Sequence, residues 1–142
     1  MQYTTENLLV HPSNDPQEPD LILAVTPGSA GWDLISFQAR RLGAGKEWSF
    51  DSGQNELAIV LLSGAISVSS RRGSWHGLER KDVWTSAATA LYLPRNTEFT
   101  VVADRDDDPA VRSHRQVLAV GLVEPGQQLD LAPLAVLAAL VR

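Results

Sequence analysis

Glu56-Leu57-Ala58-Ile59-Val60-Leu61-Leu62-Ser63-Gly64-Ala65-Ile66-Ser67-Val68-Ser69-Ser70 is the stretch on which the fold turns. Residues 57–62 are apolar without interruption. The run is too short for a good helix and reads as a central strand buried on both faces. Ser63-Gly64 breaks it, and residues 65–70 then alternate, with Ile66 and Val68 turned inward.

Working outward, the flanking segments repeat the strand pattern. Upstream, residues 46–50 form a short strand between the turns Gly43-Ala44-Gly45 and Asp51-Ser52-Gly53. Residues 33–42 alternate, with Ile35, Phe37 and Ala39 on one face and Ser36, Gln38 and Arg40 on the other. Leu21–Val25 is an apolar run stopped by Thr26-Pro27-Gly28. Downstream, Arg71-Arg72-Gly73-Ser74 reads as a hairpin turn, and residues 74–77 return along it. Residues 82–90 read as a short strand and a loop leading into a strand over 90–93. Leu93-Pro94-Arg95-Asn96 is a strong turn signal, because Asn tolerates the left-handed conformation. Strands follow at Glu98–Ala103 and Gln116–Val123. Roughly nine or ten short strands with regular turns imply an antiparallel sandwich or small barrel, and periodicity alone does not choose between them. The expected core is Leu57, Ile59, Val60, Leu62, Ile66, Val68, Leu91, Leu93 and Val101.

The ends differ from the middle. Residues 1–20 carry Pro12, Pro16 and Pro19 and read as an arm, with a short strand at 8–11. Residues 21–128 form a single domain. Residues 129–142 are apolar on nearly every side, and Asp130 is placed to cap a short terminal helix over 131–141. That segment packs on the barrel mouth or on a partner, or else frays.

Composition bounds the function. The chain has 142 residues, a formal net charge of −5, 44% hydrophobic and 20% charged residues, values expected of one soluble globular domain. With no cysteine, a disulfide scaffold, a thiolate nucleophile and a Cys-ligated metal are excluded. The acidic balance argues against nucleic acid as a partner. No apolar run reaches the length of a membrane span, and no signal peptide is visible, so the expected compartment is the cytoplasm.

Three segments together resemble the cupin superfamily of jelly-roll barrels. They are residues 45–50 with 56–64, the turn at 93–99, and the hairpin at 64–68. The likeness is closer to one branch. Thr26-Pro27-Gly28-Ser29-Ala30-Gly31-Trp32, Arg41-Leu42-Gly43-Ala44-Gly45, Glu56 through Gly64, and Ala90-Leu91-Tyr92-Leu93-Pro94 resemble the N-terminal half of 5-deoxyglucuronate isomerase. That enzyme family serves inositol catabolism and is related to 5-keto-4-deoxyuronate isomerase. The resemblance implies an all-β, cupin-type antiparallel jelly-roll barrel. It also implies an aldose–ketose isomerisation of a sugar acid, with the metal ligands in the other half of a longer chain.

Metal-binding cupins place two His and a Glu on one motif and a His on a second. By resemblance these His positions fall on Trp48, Phe50 and Phe99, leaving Glu56 as the retained carboxylate and the best candidate base. Seven residues separate Glu56 from Gly64, one more than the usual motif, so Leu57 is the alternative inward residue. No metal site and no cofactor is therefore expected. Trp48, Phe50 and Phe99 either line an emptied ligand pocket or simply fill the core. Arg112 and Arg115 either grip a carboxylate or lie on a solvated strand end. His11, His76 and His114 show no ligand spacing. Two functions stay open: a sugar-acid isomerase that needs a second cupin half, and a non-catalytic sugar-acid-binding or assembly module. A homodimer is expected, because open jelly rolls leave edges to cover.

Overall fold

The computed structural model describes residues 4–104 and 116–123. Among these are the strands β1 (Leu21–Val25), β2 (Ile35–Leu42), β3 (Glu47–Asp51), β4 (Glu56–Ser70), β5 (Gly73–Arg80), β6 (Thr89–Leu93), β7 (Glu98–Ala103) and β8 (Gln116–Val123). Every pairing is antiparallel. One sheet runs β1-β2-β8-β4-β6 and the other β3-β7-β4-β5. Together they curl around a shared core into an all-β half-barrel.

β4 belongs to both sheets, and this is what makes the curl. Its first half pairs with β6 and β8, and its second half with β5 and β7. The expected break at Ser63-Gly64 is instead a bend inside one 15-residue strand. Gly64 takes φ 93°, a conformation that costs other residues strain. The register slips between Leu61 and Ser63. Leu57, Ile59 and Leu61 therefore face the core before the slip, and Ile66 and Val68 after it. Leu61, not Leu62, is the core residue; Leu62 is only half-buried. Leu91 is likewise half-buried against the core, while the other expected core positions are buried.

β2 reverses its expected orientation. Leu42 lies in the core, and alternation puts Arg40 on that same side at 4% exposure. The face that reads as polar is thus the inner one. Ala39 is also buried, whereas Ile35 remains 39% exposed.

The arm begins with the helical turn α1 (Thr5–Leu8) instead of a strand at 8–11. Its later part is tied to the sheet. Ser13 N–H donates to the Ile22 carbonyl at 2.7 Å, and the Asp20 carbonyl accepts from Arg41 N–H at 2.8 Å. The helical turn α2 (Pro27–Ala30) follows β1, with Thr26 and Ser29 forming a reciprocal capping box.

Residues 82–86 make a turn without strand. The Asp82 carboxylate accepts from Trp84 N–H at 2.8 Å and from Thr85 N–H at 2.6 Å. These bonds to Thr85, and then to Trp84, hold the Asp82 pKa below the usual carboxylate range. The turn at 93–96 forms as expected, with Asn96 at φ 52°. Buried Ser52 clamps it to the β3–β4 turn, donating to the Pro94 carbonyl at 2.9 Å and accepting from Thr97 N–H at 3.0 Å. The expected helix over 131–141 lies outside the described residues.

Candidate functional site

Trp48, Phe50 and Phe99 come together. β3 and β7 pair in a register that sets Phe50 opposite Phe99 and Trp48 opposite Val101. Alternation then places all three rings on the core side. Trp48 sits 5.5 Å from Phe50 and 5.5 Å, edge-on, from Phe99; Phe50 and Phe99 are 6.0 Å apart. These spacings are those of favourable aromatic packing. Phe99 is buried, and Trp48 and Phe50 close the cluster from its half-buried side. An indole and two phenyl rings offer no lone-pair donor to a divalent ion. Among the described residues no three His, Asp or Glu side chains converge. The residues present do not fit the metal that the cupin resemblance implies.

Arg40 covers this aromatic cluster. Its guanidinium carbon lies 4.5 Å from the centre of the Trp48 ring, a cation–π contact. Its nitrogens are fully engaged: with Asp20 at 2.8 Å, with the Gln38 side-chain oxygen at 3.0 Å, and with Glu18. The arm reaches in to neutralise a cation that the strand buries. This corner escapes sequence reading because Arg40 looks like the solvent half of an alternation. The signal present was Glu18 and Asp20, two carboxylates immediately before β1.

Glu56 stands apart from the aromatic centre. Leu57 is the inward residue at 0% exposure, so alternation turns Glu56 to the outer face of the sheet. There it joins Tyr92 and Arg95. Arg95 lies 3.9 Å from the Glu56 carboxylate. Burial, then the Glu56 charge and a hydrogen bond to it, push the Tyr92 pKa up, against the opposing charges of Arg95 and Arg72. Tyr92 and Arg95 sit in segments read only as strand and turn, and the slip in spacing before Gly64 was the sign that would have led to them. His11 and His76 are exposed. Arg112, Arg115 and His114 lie outside the described residues.

The fold is of the cupin type. A cupin protein from Bacteroides fragilis superposes with a TM-score of 0.54 at 14% identity, covering 84% of this chain and 89% of that one. The family follows from the sequence, since the profile of the KduI/IolB family matches residues 8–120, and the chain belongs to that family. The 5-deoxy-glucuronate isomerase of Geobacillus kaustophilus is 30% identical over 105 residues, which is 72% of this chain and 38% of that protein. The corresponding protein of Geobacillus thermodenitrificans is 31% identical over 101 residues. An IolB-like protein from Salmonella typhimurium superposes with a TM-score of 0.68 at 25% identity, covering 86% of this chain and 43% of that one. The chain thus spans well under half the length of these relatives.

Proposed function

We propose that this chain is the scaffold half of a 5-deoxyglucuronate isomerase-type enzyme, working beside a second cupin unit that supplies the reacting groups. The observation that carries this is the centre of the barrel. Three packed rings and a salt-bridged arginine fill it, at positions that the resemblance equates with cupin ligands. What remains for this half is to hold and shape a neighbour.

The reaction served is the isomerisation of a sugar acid, a reading supported by the family and its named relatives, and cytoplasmic inositol breakdown is the setting proposed for it. Exposed apolar side chains support the assembly role. Trp32, Leu34 and Ile35 are each about two-fifths exposed and lie in or beside the Thr26–Trp32 segment that carries the resemblance. The sheet edges β1, β6, β3 and β5 also need cover, which a second copy of the chain provides.

The test is a turnover assay on 5-deoxyglucuronate with elemental analysis, using residues 1–142 alone and mixed with the remainder of a full-length relative. The expected result is far less than one equivalent of metal and no turnover alone, with activity restored by the mixture. Stoichiometric metal in the isolated chain, or turnover abolished by Glu56→Gln, overturns the proposal and makes Glu56 a catalytic base. Sedimentation at micromolar concentration checks the dimer; a monomer refutes it.

A further inference from the structure

Three arginines meet on the outside of the barrel. Arg71 and Arg72 form the β4–β5 turn, and Arg95 belongs to the β6–β7 turn. The first two reach across to the second turn. Arg71 donates to the Asn96 carbonyl at 3.2 Å. Arg72 donates to the Thr97 hydroxyl at 2.7 Å and to the Arg95 carbonyl at 3.2 Å. An arginine carries five N–H donors in a fixed fork. Both side chains are exposed and hold most of their donors in reserve after these contacts.

Arg95 is the least satisfied of the set. Among the described residues its Nε is buried without a hydrogen-bond partner, and its one ion pair is with Glu56 at 3.9 Å, beyond hydrogen-bond reach. The Arg95 side chain as a whole is 37% exposed, so the fork is open to an acceptor from outside. Arg40 shows how this chain supplies acceptors when the arginine is structural. Glu56 is the nearest carboxylate and also holds the Tyr92 hydroxyl. Asp51 and Glu98, on the adjacent β3–β7 ladder, make no ion pair with the arginines. Among the described residues the arginines thus have more donors than acceptors paired with them.

We propose that Arg72 and Arg95, backed by Arg71 and the Tyr92 hydroxyl, form a binding site for the carboxylate or phosphate of a small metabolite. Planar forks match such oxyanions with paired hydrogen bonds. Clamping by Ser52 and the left-handed Asn96 fixes the backbone carrying Arg95, so little ordering is needed on binding. The site stands on the outer face, away from the aromatic centre, and is independent of the scaffold role proposed above.

Calorimetric titration with D-gluconate, D-glucose 6-phosphate and uncharged sorbitol tests it and separates the two oxyanions. One or both anions are expected to bind saturably, more weakly as salt is raised, and sorbitol not at all. Arg95→Gln and Arg72→Gln each weaken binding about tenfold, Arg95→Lys weakens it less, and Arg41→Gln, an exposed arginine on β2, leaves it unchanged. Denaturant midpoints of the variants confirm that they fold, and Arg95→Lys serves if Arg95→Gln does not. Failure of both anions to bind, equal affinity in both Arg95 variants and the wild type, or equal binding of sorbitol overturns the site.

Discussion

Arg40 and Arg95 each stand beside a carboxylate and an aromatic side chain, yet they do opposite things. Arg40 points inward at 4% exposure, and Asp20, Glu18, Gln38 and the Trp48 ring satisfy it. Arg95 stands on the outer rim with a buried, unpartnered Nε and a carboxylate at 3.9 Å. A buried guanidinium with each nitrogen hydrogen-bonded is part of the frame. Arg80 also has an Nε without a partner among the described residues but lies at 5% exposure, whereas Arg95 stands on the rim where a ligand can reach it. The two corners differ in burial and in hydrogen-bond satisfaction together.

The largest expected effect lies beneath the inner corner. Phe99→Ala removes the ring against which Trp48 packs edge-on, at a cost of about 3–5 kcal/mol in denaturant unfolding. Loss of less than about 1 kcal/mol would show a pocket that is open and not packed. Next, Arg40→Met strands Asp20 and Glu18, and both are partly exposed, so the cost is about 2–3 kcal/mol. A neutral result would place Arg40 among functional groups and erase the contrast.

Arg95→Gln sharpens the comparison from the other side, with a stability change within about 0.5 kcal/mol. A larger loss would make Arg95 structural like Arg40. Absorbance titration follows Tyr92, which ionises above the ordinary tyrosine range. The folded chain holds that proton more tightly than the unfolded one. The resulting stabilisation is complete below about pH 10 and is lost as pH rises through the raised pKa. Burial is the leading cause, so Glu56→Gln lowers the titration only in part, and Arg95→Gln raises it further. The smallest effect belongs to Asp82, outside both corners. Its depressed pKa gives a contribution present above about pH 4 and lost on acidification. Asp82→Asn should flatten that acid limb slightly and leave Phe99 and Arg40 effects unchanged, since distant sites add independently.

The strand pattern was legible because turn chemistry and apolar runs are local. Glu98–Ala103 and Gln116–Val123 have the expected bounds, and Asn96 takes the expected conformation. Orientation was less legible. Leu61, not Leu62, lies in the core because the inward face of an unbroken apolar run is chosen by strand pairing, which no single segment displays. The Trp48–Phe50–Phe99 grouping was readable from its place in the motifs. The Arg40 corner was not, because its acceptors come from the arm, some twenty residues away.

By itself, the sequence determined the all-β class, the antiparallel order of short strands and the family. These follow from period, turn residues and motif spacing, which are local. Only the tertiary structure decided which face each strand buries, that β4 bends through both sheets, and that Glu56 turns outward while Arg40 turns in. Alternation defines two faces but does not name the inner one. That choice is made when distant strands supply the partners that let a charge be buried or leave it exposed.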